Sequence, residues 1–209
     1  MSPLRVNGIQ LEVKQIAGSA MASPIVFLHE GLGSVSLWTQ RGIDWPQQVC
    51  EATGRAGVVY SRRGYGQSDP TPGNLPADYM HREAWEVLPA LLQALHIDKP
   101  VLLGHSDGAT IALLYASERP VSACIALAPH VLVEDVAFDI RQACSRITAP
   151  LLLIQGLDDE YGTLRQLDEI AQAAPHAAQL RLPDCGHSPQ RDQPDTSRHA
   201  VVAFLRTAA

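Results

Sequence analysis

The chain has 209 residues, 46% of them hydrophobic and 18% charged, and a formal net charge of −6. That length and apolar content suffice to bury a sizeable core, most simply as one domain over residues 1–209. An acidic balance without a Lys/Arg run lacks the footprint of a nucleic-acid groove or of an anionic membrane surface, so the expected partner is a small molecule.

Residues 4–16 alternate apolar and polar side chains around Asn7-Gly8, a strong hairpin signal that predicts two antiparallel edge strands. The continuous apolar run 24–28 predicts a strand buried on both faces of a parallel sheet. It ends in His29-Glu30-Gly31-Leu32-Gly33-Ser34. Glycines directly after a buried strand let backbone approach a ligand and leave its N–H groups free to donate, although an ordinary turn before a helix at 45–52 would read the same way. Residues 57–60 form the next short strand, and 61–70 a glycine-rich basic loop. That loop lacks the spacing of a phosphate loop and reads as a turn in which Arg62 or Arg63 meets a carboxylate. Residues 79–95 carry apolar positions at helical spacing, with Pro89 expected to kink or restart the helix.

Residues 100–116 read as strand, sharp turn and helix around Gly104-His105-Ser106-Asp107-Gly108. This is the G-x-S-x-G pattern of a nucleophile elbow, which holds a serine hydroxyl exposed at the top of a parallel sheet. Such five-residue strings also occur by chance in loops; the flanking strand and helix are the context the motif requires. Beyond it come a strand at 123–128, mixed residues at 129–149 with room for one or two short helices, and a strand at 150–154. A helix at 164–174, a strand at 179–182 and a helix at 195–207 complete the chain. Strands alternating with helices predict a mostly parallel sheet covered on both faces. Ligands bind beyond the carboxyl ends of such strands, where His29 to Gly33, Ser106, Asp158, Asp159 and His187 all fall.

Here five segments together resemble the α/β-hydrolase fold superfamily. His29 to Gly33 resembles its H-G-x-x-G loop, and residues 61–68 its D-x-R-G-x-G-x-S loop. Gly104 to Gly108 resembles its elbow, Gly156-Leu157-Asp158-Asp159 its acid turn and Gly186-His187 its histidine turn. The resemblance implies a twisted sheet of about eight strands with helices on both faces and a serine esterase acting through an acyl-enzyme. Ser106 would be the nucleophile and His187 the base, since a serine hydroxyl attacks only once a neutral imidazole accepts its proton. Of the competing carboxylates, the family's spacing of three residues after the glycine selects Asp159 over Asp158, with Asp184 too close to His187 in sequence. The implied oxyanion donors are the N–H groups of Asp107 and Gly31, with Leu32 in place of Gly31 if the register differs by one.

Glu30 departs from the family, where glycine is usual, and a carboxylate there calls for pairing with an arginine such as Arg62 or Arg63. Glu30, Leu32, His105 and Val131 are the candidate pocket residues, His105 also being a packing neighbour of the elbow. Only 129–149 stand where capped relatives insert a helical lid, which implies a shallow, open site accepting a broad range of small esters. Other reactions a serine could serve are lactone, thioester or carbon–carbon cleavage; a non-catalytic ligand-binding role is a further alternative. No cofactor or metal is implied, since no histidine pair has ligand spacing. Four scattered cysteines without a C-x-x-C pair suggest neither a zinc site nor a disulfide framework, and Cys185 reads as a buried thiol. The N-terminus lacks a signal-peptide pattern and no apolar run is long enough to span a membrane, so a cytoplasmic location is expected. The apolar stretch at 131–136 suggests a homodimer surface.

Overall fold

The computed structural model describes residues 2–133 and 138–208. Strands β1 (Ser2–Val6) and β2 (Ile9–Ile16) form the expected hairpin, with Asn7 and Gly8 both at positive φ, 50° and 82°. That is the conformation a two-residue type I′ turn needs and an Asn-Gly pair reaches at little cost. Six more strands complete one sheet: β3 (Ile25–Leu28), β4 (Gly57–Tyr60), β5 (Val101–His105), β6 (Ala123–Leu127), β7 (Leu151–Gly156) and β8 (Ala178–Leu182). Their order is β1-β2-β4-β3-β5-β6-β7-β8, with β2 antiparallel to β4 and every pairing from β4 through β8 parallel. Strands β3 to β7 are buried at every position, which is why their sequences are runs of apolar residues and not alternations.

Helices cover both faces. On one, α3 (Leu88–Ala94), α4 (Asp107–Ala116) and α6 (Arg165–Ala173) pack Leu88, Leu91, Ile111 and Ile170 into a core with Val26, Leu102 and Leu153. On the other, α1 (Trp45–Thr53) and α8 (Pro194–Ala208) pack Trp45, Val49, Val201 and Leu205 against Phe27, Leu103 and Ile125. Helix α4 is buried from Gly108 to Ala116, so the helix after the elbow sits at the centre of the molecule and its first turn is held rigidly.

Two elements add to expectation. The helix expected over 79–95 restarts at Pro89 as foreseen, but as α2 (Tyr79–Arg82), an unforeseen π-helical turn Glu83–Val87, and then α3 with Pro89 in its first turn. Proline has no N–H to give the preceding turn, and a first turn is where that lack costs nothing. Among the described residues of 129–149 there is one short helix, α5 (Arg141–Cys144), within the one or two expected, preceded by an antiparallel ribbon of Leu132–Val133 with Phe138–Asp139. The β-prone pair Leu132-Val133 favours a strand, and the Asp139 carboxylate accepts the Arg141 N–H at 3.0 Å to open the helix behind it. Of the stretch suspected as a dimer surface, Val131 is buried in the core, Leu132 and Val133 are half-buried, and residues 134–136 lie outside the described residues. Among the described residues no helix is long and apolar enough to cross a membrane. A further short helix, α7 (Pro189–Asp192), follows the histidine turn.

Candidate active site

Strand β5 ends at His105 and α4 begins at Asp107, so Ser106 alone makes the turn between them, at φ 54° and ψ −119°. A side chain in that region is strained, and the strain persists only where the surroundings impose it. They do. A Cβ on Gly104 would lie 2.1 Å from the Gly108 carbonyl oxygen, and one on Gly108 would lie 2.1 Å from that of Leu28. Only two glycines allow strand, turn and neighbouring strand to pack this closely. The turn is then pinned by the Ser106 N–H, which donates to the Leu127 carbonyl at 2.9 Å.

The loops after β7 and β8 converge on this serine. The Ser106 Oγ lies 2.9 Å from Nε2 of His187, whose Nδ1 lies 2.9 and 3.0 Å from the two carboxylate oxygens of Asp159. A carboxylate only accepts, so Nδ1 carries the proton and Nε2 is left to accept the serine hydroxyl. The Asp159 side chain is 1% exposed. Burial alone would raise its pKa, but the bonds from His187 and from the Tyr161 and Gly162 N–H groups outweigh burial and hold it below the usual carboxylate range. Asp158 and Asp184 point elsewhere and are exposed. The loop therefore brings Asp159, and neither competitor, to the imidazole.

The loop after β3 passes over the first turn of α4. A Cβ on Gly31 would lie 2.9 Å from the Asp107 carboxylate, and the Asp107 N–H, as the first of its helix, has no carbonyl one turn back to bond. Arg62 holds this loop from below: its guanidinium donates to the carbonyls of His29 at 2.7 Å and Glu30 at 2.8 Å, and its N–H donates to His29 Nε2 at 2.9 Å. It also faces the Asp107 carboxylate at 3.9 Å, which the Tyr79 hydroxyl bonds as well.

The arginine pairing expected for Glu30 is absent. Arg62 is engaged as above, and Arg63 donates to the Pro70 carbonyl. The Glu30 carboxylate turns to His105, 3.4 Å from its Nδ1. Burial lowers the His105 pKa to about 3, and its Nε2–H donates to the His187 carbonyl at 2.8 Å, so this is a contact with a neutral ring and not an ion pair. Glu30 and Leu32 do line the pocket over Ser106, whereas His105 and Val131 do not: both are buried, one beneath the His187 loop and the other in the core. His130 and Tyr161 take their place. Their rings flank His187 at 5.5 and 4.9 Å. Tyr161 stands two residues beyond Asp159 of the acid turn and His130 three beyond the end of β6, and this place past a strand end was the available signal. Among the described residues no cluster of His, Cys, Asp or Glu could hold a metal ion, and Cys50, Cys124, Cys144 and Cys185 are buried free thiols.

A sheet of this order, with a strained serine at the end of its central strand and an imidazole and a carboxylate brought to it from later strands, defines a class of hydrolases. The chain belongs to the alpha/beta hydrolase fold family, whose sequence pattern matches residues 23–143. It is 33% identical over 117 residues to the human serine hydrolase BPHL, a match covering 55% of this chain and 37% of that protein. The chain thus spans little more than a third of that relative's length. A putative carbamate hydrolase, RutD, of Pseudomonas savastanoi is 24% identical over 252 aligned positions, covering 88% of this chain and 94% of the relative. Among solved structures, a thermophilic esterase from Thermogutta terrifontis superposes with a TM-score of 0.84 at 16% identity, covering 100% of this chain and 99% of that one, a likeness of fold.

Proposed function

We propose that the chain is a serine hydrolase that cleaves small carboxylic esters through an acyl-enzyme. Ser106 is the nucleophile, His187 the base and then the acid, Asp159 the group that orients the imidazole, and the N–H groups of Gly31 and Asp107 the oxyanion hole. The observation that carries this reading is the unbroken chain of hydrogen bonds from the Ser106 hydroxyl through His187 to Asp159. Nε2 accepts the hydroxyl proton as Oγ bonds to the ester carbon, the carbonyl oxygen becomes an anion, and the same proton passes to the departing alkoxide. Water, deprotonated by His187, then adds to the acyl-enzyme and releases the acid and the free serine. One well-placed oxyanion donor contributes on the order of 10²–10³ in rate. The Asp107 carboxylate would oppose that anion if free; Arg62 and Tyr79 draw it aside.

A serine at this position, where an alkyl-enzyme mechanism needs a carboxylate, favours acyl transfer. An open site of broad ester range is supported by the short 129–149 segment and by Leu32 and Tyr161 standing 87% and 72% exposed at its rim.

The test is labelling with a fluorophosphonate probe alongside hydrolysis of p-nitrophenyl acetate. Labelling should vanish in Ser106→Ala. Hydrolysis should fall by about 10⁴ in Asp159→Asn, which leaves His187 in the wrong tautomer, and stay near wild type in Asp158→Asn. A wild-type protein that neither labels nor hydrolyses, or labelling indifferent to Ser106→Ala, would overturn the reading.

A further inference from the structure

Next to the pocket over Ser106 lies a second cleft of about 650 Å³ that shares Asp107, His130 and Tyr161 with it. Its other walls are residues 77–81, which include Asp78, Tyr79, Met80 and His81 at the start of α2, and Val133 and Phe138 from the ribbon. The His81 ring meets Phe138 edge-on at 5.8 Å and Trp85 at 5.0 Å, so one wall is a small stack of rings resting on the π-helical turn. The pocket on the His187 side has the opposite character: Glu30, Glu160, Ser188 and Arg191 line it. An apolar group placed there would desolvate charged side chains without returning a bond to them, whereas in the cleft it meets Met80, Val133 and Phe138, and the two carboxylates that line it, Asp78 and Asp107, are already bonded by Arg82 and Tyr79.

The chemistry decides which arm of an ester takes which side. The leaving oxygen must receive its proton from His187 Nε2, so the alcohol departs across His187, over Glu160, Ser188 and Arg191. The acyl substituent sits on the other side of the carbonyl carbon and extends past Asp107 and His130. We infer that the cleft is the acyl site, built for an apolar and preferentially aromatic acyl group, with the alcohol arm confined to the polar pocket. This rests on the serine-hydrolase reading above. The Phe138 and His81 rings offer an edge and a face to an arylacyl group, and edge-to-face ring pairs add to what simple burial supplies.

The experiment is a matrix of kcat/KM values over p-nitrophenyl acetate, butanoate, benzoate and phenylacetate, and over acetate esters of several alcohols. It is run on the wild type, Phe138→Ala and Val133→Trp, with fluorophosphonate labelling of Ser106 in each. Wild type should prefer phenylacetate to acetate. Both variants should cut that preference about tenfold, one by removing the ring and the other by filling the cleft, while the ranking of alcohols holds. Variants that label at the wild-type rate but alter the alcohol ranking instead, or a labelled wild type indifferent to acyl group, would overturn the assignment and leave the hydrolase reading standing. Failure of wild type to label would remove that reading, and this assignment with it.

Discussion

Gln155, the penultimate residue of β7, is fully buried, and one end of its amide does all its bonding. Nε2 donates to the Asp159 carboxylate at 3.1 Å and to the Gly162 carbonyl at 2.5 Å, while Oε1 has no partner among the described residues. Turning the amide over would set its oxygen against a carboxylate and a carbonyl, so the orientation is fixed by repulsion as much as by bonding. A buried acceptor without a partner is costly, and this one is tolerated because the nitrogen beside it steadies the Asp159 loop. Gln155→Leu keeps the volume and removes the donor. Ionised Asp159 then has one bond fewer, its pKa rises toward the ordinary carboxylate range, and kcat should fall with the acid limb of its pH profile moved to higher pH. A uniformly lower kcat with an unmoved profile would mean that Gln155 only fills space. The sequence pointed to Ser106, Asp159 and His187, which the structure brings within hydrogen-bonding distance, because each stands at a strand end inside a motif. It could not identify the partner of Glu30, since that depended on Arg62 spending its donors on backbone carbonyls. Val131, expected in the pocket, is buried in the core, and its neighbour His130 lines the pocket instead; in an extended chain one step exchanges core for pocket.

The elbow shows how one element depends on its neighbours. The Gly108 position abuts the Leu28 carbonyl on β3, so an added methyl must push two parts of the sheet assembly apart. Gly108→Ala should destabilise the fold by more than about 3 kcal/mol, read from the urea midpoint, because backbone on both sides leaves no flexible side chain to yield. Unchanged stability would mean that the elbow and β3 are less tightly coupled than this packing implies. At this scale the sequence was legible wherever a pattern is local, as in the hairpin turn and the buried runs. It was less so in the ribbon of 132–133 with 138–139, whose strands are two residues each and too short to show an alternation, and in the π-helical turn, which accommodates the buried Glu83 carboxylate accepting from the Tyr60 hydroxyl at 2.9 Å.

For the whole molecule, buried imidazoles set the response to acid. His105 is lowered to about 3 and His29 well below its ordinary 6.5, burial being the main cause in both. Below pH 6.5 the unfolded chain therefore takes up protons that the folded one refuses until its own lower values are reached. Stability is complete above that pH and is lost as pH falls toward 3, each such group contributing a slope of up to about 1.4 kcal/mol per pH unit. Urea midpoints should drop steadily from pH 7 to pH 4.5; a flat profile would show that these rings are not held neutral.

Ser106 carries a further implication. Its left-handed backbone is a debt the fold carries for the sake of one hydroxyl, and glycine would cancel both together. Selection for turnover and selection for durability therefore pull in opposite directions at this residue. A descendant no longer required to react would be free to relax here first, becoming sturdier as it fell silent.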